Sequence, residues 1–541
     1  MASTTQPAVP AAGSPTMSHR EILEALSGLL LGMFVTILAS TVVSNALPRI
    51  ISDLHAGESA YTWVVTATLL ALTVTTPIWG KLADLTSKKL LIQLSLTIYV
   101  IGSALAGLSQ NAGMLIAFRA VQGVGAGGLA ALVQVILAAM SSPRERGRYM
   151  GYLGAVFALG TVLGPLVGGV IVDTSWLGWR WCFYVGIPFA AVALVLLQRT
   201  LHLPVVRRRV RIDYLGATLV AAAVSLLLIW VSLAGHQFAW NSVQTYLMVG
   251  GSLALGALFI AVEQRVAEPI IPLRLFADRT ITLSTVASLF VGIGLFGGTV
   301  FLSQYFQISR GESPTASGLM SLPLVLGLLG SSTIVGQLIS RYGVWKRYLV
   351  GGGVLLVAGF GLMGSMRADT PYGLLALYML VLGAGLGMMM QNLVLATQNV
   401  VATSDLGAAS STVTFFRSLG GAVGVSALGA LLAHRVATYT AAGLAAVGIV
   451  PTGAGAELPN PATLPQPVRQ IVQDAFGHGI GDVFLAATPF ALLALLAVLF
   501  VKEVTLQTTL AIERDAEVPA DLAARSEQRD RGLVPQPASG T

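Results

Sequence analysis

Long apolar stretches separated by short polar ones fill almost the whole chain. The pattern predicts helices over about 26–48, 60–80, 90–109, 112–139, 150–172, 181–199, 213–234, 243–262, 281–303, 316–339, 348–366, 373–397, 408–432 and 482–501. Each run is near the roughly 20 residues that cross a bilayer core as a helix. The runs are continuously apolar and lack the alternation of barrel strands. The expected class is therefore an all-α integral membrane protein of about 14 transmembrane helices. Residues 1–20, rich in Ala, Pro, Ser and Thr, predict a disordered tail with no cleavable signal, so the first run is a retained span. Residues 505–541 predict a second disordered tail. Between spans 13 and 14, segment 433–481 contains VPTGAGAELPNPATLPQP and predicts irregular structure flanked by surface helices at 436–450 and 468–476.

Charge sets the orientation. Only 10% of the residues are charged, against roughly 25% in soluble domains. Lys81, Lys88, Lys89, Arg144, Arg146, Arg148, the run 205–211, Arg265, Arg274, Arg279, Arg341, Lys346 and Arg347 all fall in alternate loops. The positive-inside rule makes those loops cytoplasmic, and an even number of spans puts both termini inside. The net charge of +7 is spread over these short loops, which excludes a nucleic-acid face. The single cysteine, Cys182, forbids an internal disulfide. All six histidines lie in loops, tails or span ends, so neither a metal nor any other cofactor is expected. With no nucleophile, base or metal cluster in the spans, the chain does not read as an enzyme.

A repeat divides the chain. GKLADLTSKKL from Gly80 follows span 2, and GQLISRYGVWKR from Gly336 follows span 10, so that Gly80 matches Gly336 and Leu82 matches Leu338. Asp84 faces Ser340 and Ser87 faces Gly343 in the same alignment. Duplication of this kind is expected of transporters built from two halves around a central site. The halves would be 21–202 and 266–504, with 203–265 an insertion of two helices.

Four stretches carry candidate chemistry. In LGTVLGPLVGG, Gly160, Gly164 and Gly168 recur every four residues and form a smooth helix face, while Pro165 bends the helix beside it and Gly169 follows. This pattern is either a packing groove or a moving hinge. In GKLADLTSKKL, Asp84 stands at a span end, where its carboxylate can accept from helix N-terminal amides or pair with a cation. It would form a cytoplasmic gate with Gly80, Lys88 and Lys89. In FRAVQGVGAGG, Arg119 lies inside an apolar helix and Gln122 follows on the same face, a functional-site candidate by default. In TFFRSLGGAVG, Arg417 is either a second cavity arginine or one bound to backbone carbonyls. Gln304, Gln391 and Asn392 add neutral hydrogen-bonding groups to the expected cavity.

Taken together these residues resemble the major facilitator superfamily, and within it the fourteen-span drug:proton antiporter branch. GKLADLTSKKL resembles the loop motif after span 2, FRAVQGVGAG the span-four motif, and the stretch 160–169 the span-five motif characteristic of exporters. LASTVVSNALPRI, which includes Asn45 as a further cavity group, is similar to the first-span signature. The resemblance implies the major facilitator fold, two six-helix halves enclosing a cavity between spans 1–6 and 9–14. It implies export of lipophilic drugs or antibiotics across a bacterial cytoplasmic membrane, driven by protons, by a monomer whose partners are its substrates, protons and lipid. Arg119 would couple protonation to substrate, with Asp84 or Asp173 the carboxylates left to carry the proton. The chain departs from the family at Ala39, where the signature often has an acid, and no Asp or Glu lies deep inside an expected span. Such a cavity should favour neutral or anionic amphiphiles. A lipid or envelope-precursor exporter on the same fold, and a non-transporting sensor or scaffold, are the alternatives.

Overall fold

The computed structural model describes residues 19–55, 58–174, 176–203, 213–235, 237–447 and 465–506. The side chains of Asn45 and Asp173 lie outside the described residues, as do most of both expected tails and the basic run 204–212. Fourteen helices are long and apolar enough to cross a membrane, and no β-strand occurs among the described residues.

In chain order the spans are His19–Asp53, Glu58–Leu85, Lys88–Gly107, Ala112–Met140, Pro143–Asp173 and Trp181–Thr200 for the first half. Tyr214–Leu233 and Val243–Glu263 follow as spans 7 and 8. The second half comprises spans 9 to 14. Span 9 is Arg279–Gln304, which closes in a π turn Tyr305–Ser309, and span 10 is Pro314–Met320 joined to Leu322–Tyr342. Span 11 is Lys346–Met363, span 12 is Tyr372–Met390 joined to Asn392–Val400, and spans 13 and 14 are Leu406–Ala446 and Val468–Phe500. Helix starts follow local chemistry: the side chains of Ser87, Asn111, Ser142 and Ser242 each accept from an amide three residues on, satisfying donors that the first turn leaves free. Ser87, which faces Gly343 in the repeat, is thus the cap of span 3.

Each half has its own core. Leu26, Leu96, Leu132 and Leu153 are buried together in the first, and Phe301, Trp345, Phe360 and Phe484 in the second. The glycines of span 4 serve packing alone. A side-chain carbon on Gly125 would stand 2.5 Å from the amide nitrogen of Tyr99, and one on Gly123 equally close to the carbonyl of Thr68, so spans 2 and 3 press directly on its backbone.

One expectation about elements changes. The segment 433–481 is not bounded by separate surface helices: span 13 runs unbroken for 41 residues and span 14 for 33. At 1.5 Å per residue these helices are about 60 and 50 Å long, well beyond a hydrocarbon core of about 30 Å. Their projecting ends are tied by Asp482, which accepts from the Tyr439 hydroxyl at 2.7 Å and pairs with Arg435 at 3.3 Å. The residues between, 448–464, lie outside the described set. The inserted pair, in turn, is more than an appendage. Leu219, Val220, Val224 and Leu228 of span 7 share one buried cluster with Val74 of span 2 and Phe415 and Ala422 of span 13, so span 7 lies along a seam between the halves.

Candidate functional site

The two repeated loops meet the opposite half at two related seams on the basic face. At the first, the Asp84 carboxylate at the end of span 2 accepts from the amides of Gly407 and Ala408 at 2.7 and 2.8 Å. These are free donors in the first turn of span 13, where the positive end of the helix dipole favours an anion. The approach requires glycine on both sides: a side-chain carbon on Gly80 would strike Ser411, and one on Gly407 the Gly80 carbonyl. At the second seam the polarity is reversed. Arg144, in the first turn of span 5, donates to the carbonyls of Ser340 and Arg341 at 3.2 and 3.1 Å, at the end of span 10. Ser340 is the repeat partner of Asp84. Gly336 and Gly147 are again in direct backbone contact.

Arg146 locks the space between the seams. It is fully buried and donates to Gln398 of span 12 at 2.9 Å and to the carbonyls of Ala138 and Ser141 at 2.8 Å. Gln398 donates in turn to Ser410 at 2.8 Å and to the Gln134 carbonyl at 3.4 Å. Both halves therefore share one polar network at the closed basic face.

Of the expected gate lysines, Lys88 opens span 3, the helix that follows Asp84. Lys89 does not bridge the halves: its ammonium donates to the Gln198 carbonyl at 2.7 Å, at the end of span 6 in its own half.

The interior arginines are held by the bundle. Arg119 donates to Gln122 at 2.6 Å and to the Val64 carbonyl at 3.5 Å, and Gln122 donates to Ser103 at 2.7 Å. This chain of bonds joins spans 2, 3 and 4, and Gln122 is 1% exposed, so it faces that network instead of the surface of a cavity. Arg417 resolves to the carbonyl-bound alternative: it donates to Met390 at 3.1 Å, beside the break in span 12. Asn392 is spent on the Met388 carbonyl at 2.7 Å. Gln391, at the break itself, is 2% exposed, and neither end of its amide has a partner. Gln304 lines a cleft of about 360 Å³ between span 7 and spans 9 and 13, together with Ser232, Phe301 and Ser426. Its amide oxygen is also unpartnered.

The glycine stretch of span 5 works on two faces. Gly160 and Gly164 admit Ile37 and Thr41 of span 1, and the Thr41 hydroxyl donates to the Gly160 carbonyl at 3.1 Å. Pro165 and Gly169 instead touch Gly318 and Thr315 at the start of span 10, in the other half. Gly168 is buried. The stretch is thus a packing groove within one half and a contact surface toward the other.

Residues 29–425 match the model of the Major Facilitator Superfamily. The chain belongs to this superfamily. Among its relatives is an uncharacterised MFS-type transporter of Mycobacterium tuberculosis, 38% identical over 93% of this chain and 73% of the relative. The multidrug transporter protein MdtP of Bacillus subtilis is 35% identical over 77% of this chain and 76% of its own. Among solved structures, the proton:xylose symporter XylE superposes with a TM-score of 0.60 at 15% identity, covering 92% of this chain and 99% of that one. That likeness establishes the fold. The chain is accordingly a multi-pass major facilitator transporter and not an enzyme.

Within this facilitator, Arg144 and Arg146, which the sequence marks only as topology signals, join the halves through Ser340, Arg341 and Gln398. A signal was present. Basic residues in a helix's first turn oppose its dipole, and Arg144 and Arg146 stand in the opening turn of span 5, with Arg148 just after it. Such a cluster needs acceptors supplied from elsewhere.

Proposed function

We propose that this facilitator exports lipophilic compounds across a bacterial cytoplasmic membrane by proton antiport, with its basic face and both termini in the cytoplasm. The observation that carries the reading is Asp84 capping span 13 across the seam. A charge-assisted bond to backbone amides is strong while the halves are together and can be exchanged for water when they rock apart. The Arg144, Arg146 and Gln398 contacts would be released in the same movement. Alternating access follows from a gate of this kind.

The substrate class rests on what the interior offers. Gln391 presents an unpaired amide beside Arg417 and the span 12 break, and no acidic side chain accompanies it among the described residues of the span interiors. Neutral or anionic amphiphiles fit such a site better than cations do. The relative named as a multidrug transporter supports export as the direction.

One observation favours a second reading, export of a lipid or envelope precursor. The cleft holding Gln304 is apolar over most of its wall and lies beneath span 7, the place for an acyl chain. Accumulation of Nile red, anilinonaphthalene sulfonate and ethidium in efflux-deficient bacteria separates the cases. Drug export predicts gradient-dependent exclusion of the first two over the third. Strong preference for ethidium contradicts the substrate assignment, and exclusion of none of them favours the lipid reading.

A further inference from the structure

The inserted helix pair carries a buried acidic couple that the gate does not use. Asp213 caps span 7, its Oδ1 accepting from Gly216 at 2.8 Å. Glu263 closes span 8, its Oε1 accepting from Ile270 at 3.0 Å and Ile271 at 3.4 Å. The two residues are 8% and 3% exposed, and Oδ2 of Asp213 and Oε2 of Glu263 each lack any partner. The carboxylates are neighbours: a side-chain carbon on Gly216 would touch Asp213 Oδ2 and lie 3.2 Å from Glu263 Oε1. Two ionised carboxylates so placed repel strongly, and two buried oxygens without donors are costly to keep dry.

Among the described residues, the charged groups around them do not relieve this. Span 2 presents Lys81, which is 7% exposed and bound to Glu268 at 2.7 Å. Spans 7 and 8 contribute no other charged side chain beyond the pair. In the linker, Arg265 is exposed and Arg274 is engaged by Asp405 at 2.8 Å. Among the described residues, Asp213, Glu263 and Glu268 would, fully ionised, face Lys81 alone.

We propose that Asp213 and Glu263 share one proton while the basic face is closed, and that this pair is a proton site coupled to the gate. One carboxyl O–H donates to the orphan oxygen of the other, which satisfies both. On opening, water enters the small cleft lined by Lys81, Leu85, Asp213 and Glu268. The O–H bond breaks, the proton passes to that water, and two carboxylates remain. The link to the gate is short. Lys81 lies three residues before Asp84 on span 2, and Asp405, held by Arg274, immediately precedes the turn of span 13 that Asp84 caps. The coupling rests on the proton-antiport reading, whereas the shared proton does not.

Infrared spectra of the purified full-length protein test the proton itself. The wild type should keep one neutral carboxyl band at neutral pH, where ordinary carboxylates are ionised, and Asp213→Asn and Glu263→Gln should each abolish it. Asparagine still caps a helix, so Asp213→Asn retains the fold if Glu263→Gln does not. No such band in the wild type, or a band unchanged in both variants, overturns the proposal. Nile red exclusion tests the coupling. Gradient-driven exclusion in the wild type should fall at least tenfold in Glu263→Gln, and its survival there overturns the coupling. Gradient-independent exclusion in the wild type overturns proton antiport instead, and the infrared result then decides the pair by itself.

Discussion

Asp84 does its work with two backbone bonds, at 2.7 and 2.8 Å, to amides of the other half. Hydrogen bonds to a charged group are worth about 1.5–3 kcal/mol each when their partner is lost inside a protein. Asp84→Ala removes both and should therefore move the equilibrium between closed and open basic faces toward open by on the order of a hundredfold to ten-thousandfold, at about 1.4 kcal/mol per decade. Spin-label distances across the halves read this directly. Arg119 acts differently, because its partners lie in its own half. Arg119→Ala leaves the Gln122 oxygen unpaired inside the bundle, at a cost of about 1–3 kcal/mol, so thermal unfolding should shift down along with the loss of export. Arg119→Lys keeps the charge but not the guanidinium's spread of donors. If Arg119 couples protons, the lysine variant should recover stability more fully than transport.

At the scale of elements, the seams depend on backbone meeting backbone. Gly336 and Gly147 leave no room for a side chain between spans 10 and 5. Gly336→Val should disfavour the closed basic face without unfolding either half, since each half retains its own core. The expected result is raised labelling of cysteines placed at the seam, with little change in unfolding temperature. Ser87→Gly should be nearly silent, because glycine at a helix cap costs only a few tenths of a kcal/mol relative to serine. Equal effects from the two substitutions would contradict the seam account. Span 7 extends the same logic: it packs on span 2 and span 13 at once, so it must slide on at least one of them when the halves move.

For the whole molecule, fourteen spans and the repeat were legible because bilayer thickness imposes a length and duplication leaves a matching loop. The contact that Asp84 makes with helix N-terminal amides was legible too, since Asp84 is a charge at a helix end where charges need partners. What the pattern could not convey was tertiary approach. Arg146 occupies a loop position in the sequence and is buried only because span 12 brings Gln398 against it. Spans 13 and 14 outrun the membrane because hydropathy marks only where helices enter lipid, and helices continue past that point. Asp213 and Glu263, each at the end of its own span, become a pair only when spans 7 and 8 pack side by side.

In the proposed mechanism, proton-driven export works through a gate at the basic face that Asp84 holds shut. The most direct measurement is the distance between spin labels at Thr86 and Arg347, both exposed on that face and in opposite halves, in proteoliposomes with and without a proton gradient. Such a gate gives a short and a long population whose ratio responds to the gradient, with Asp84→Ala enriched in the long one. A single distance, indifferent to both the gradient and Asp84, would contradict it.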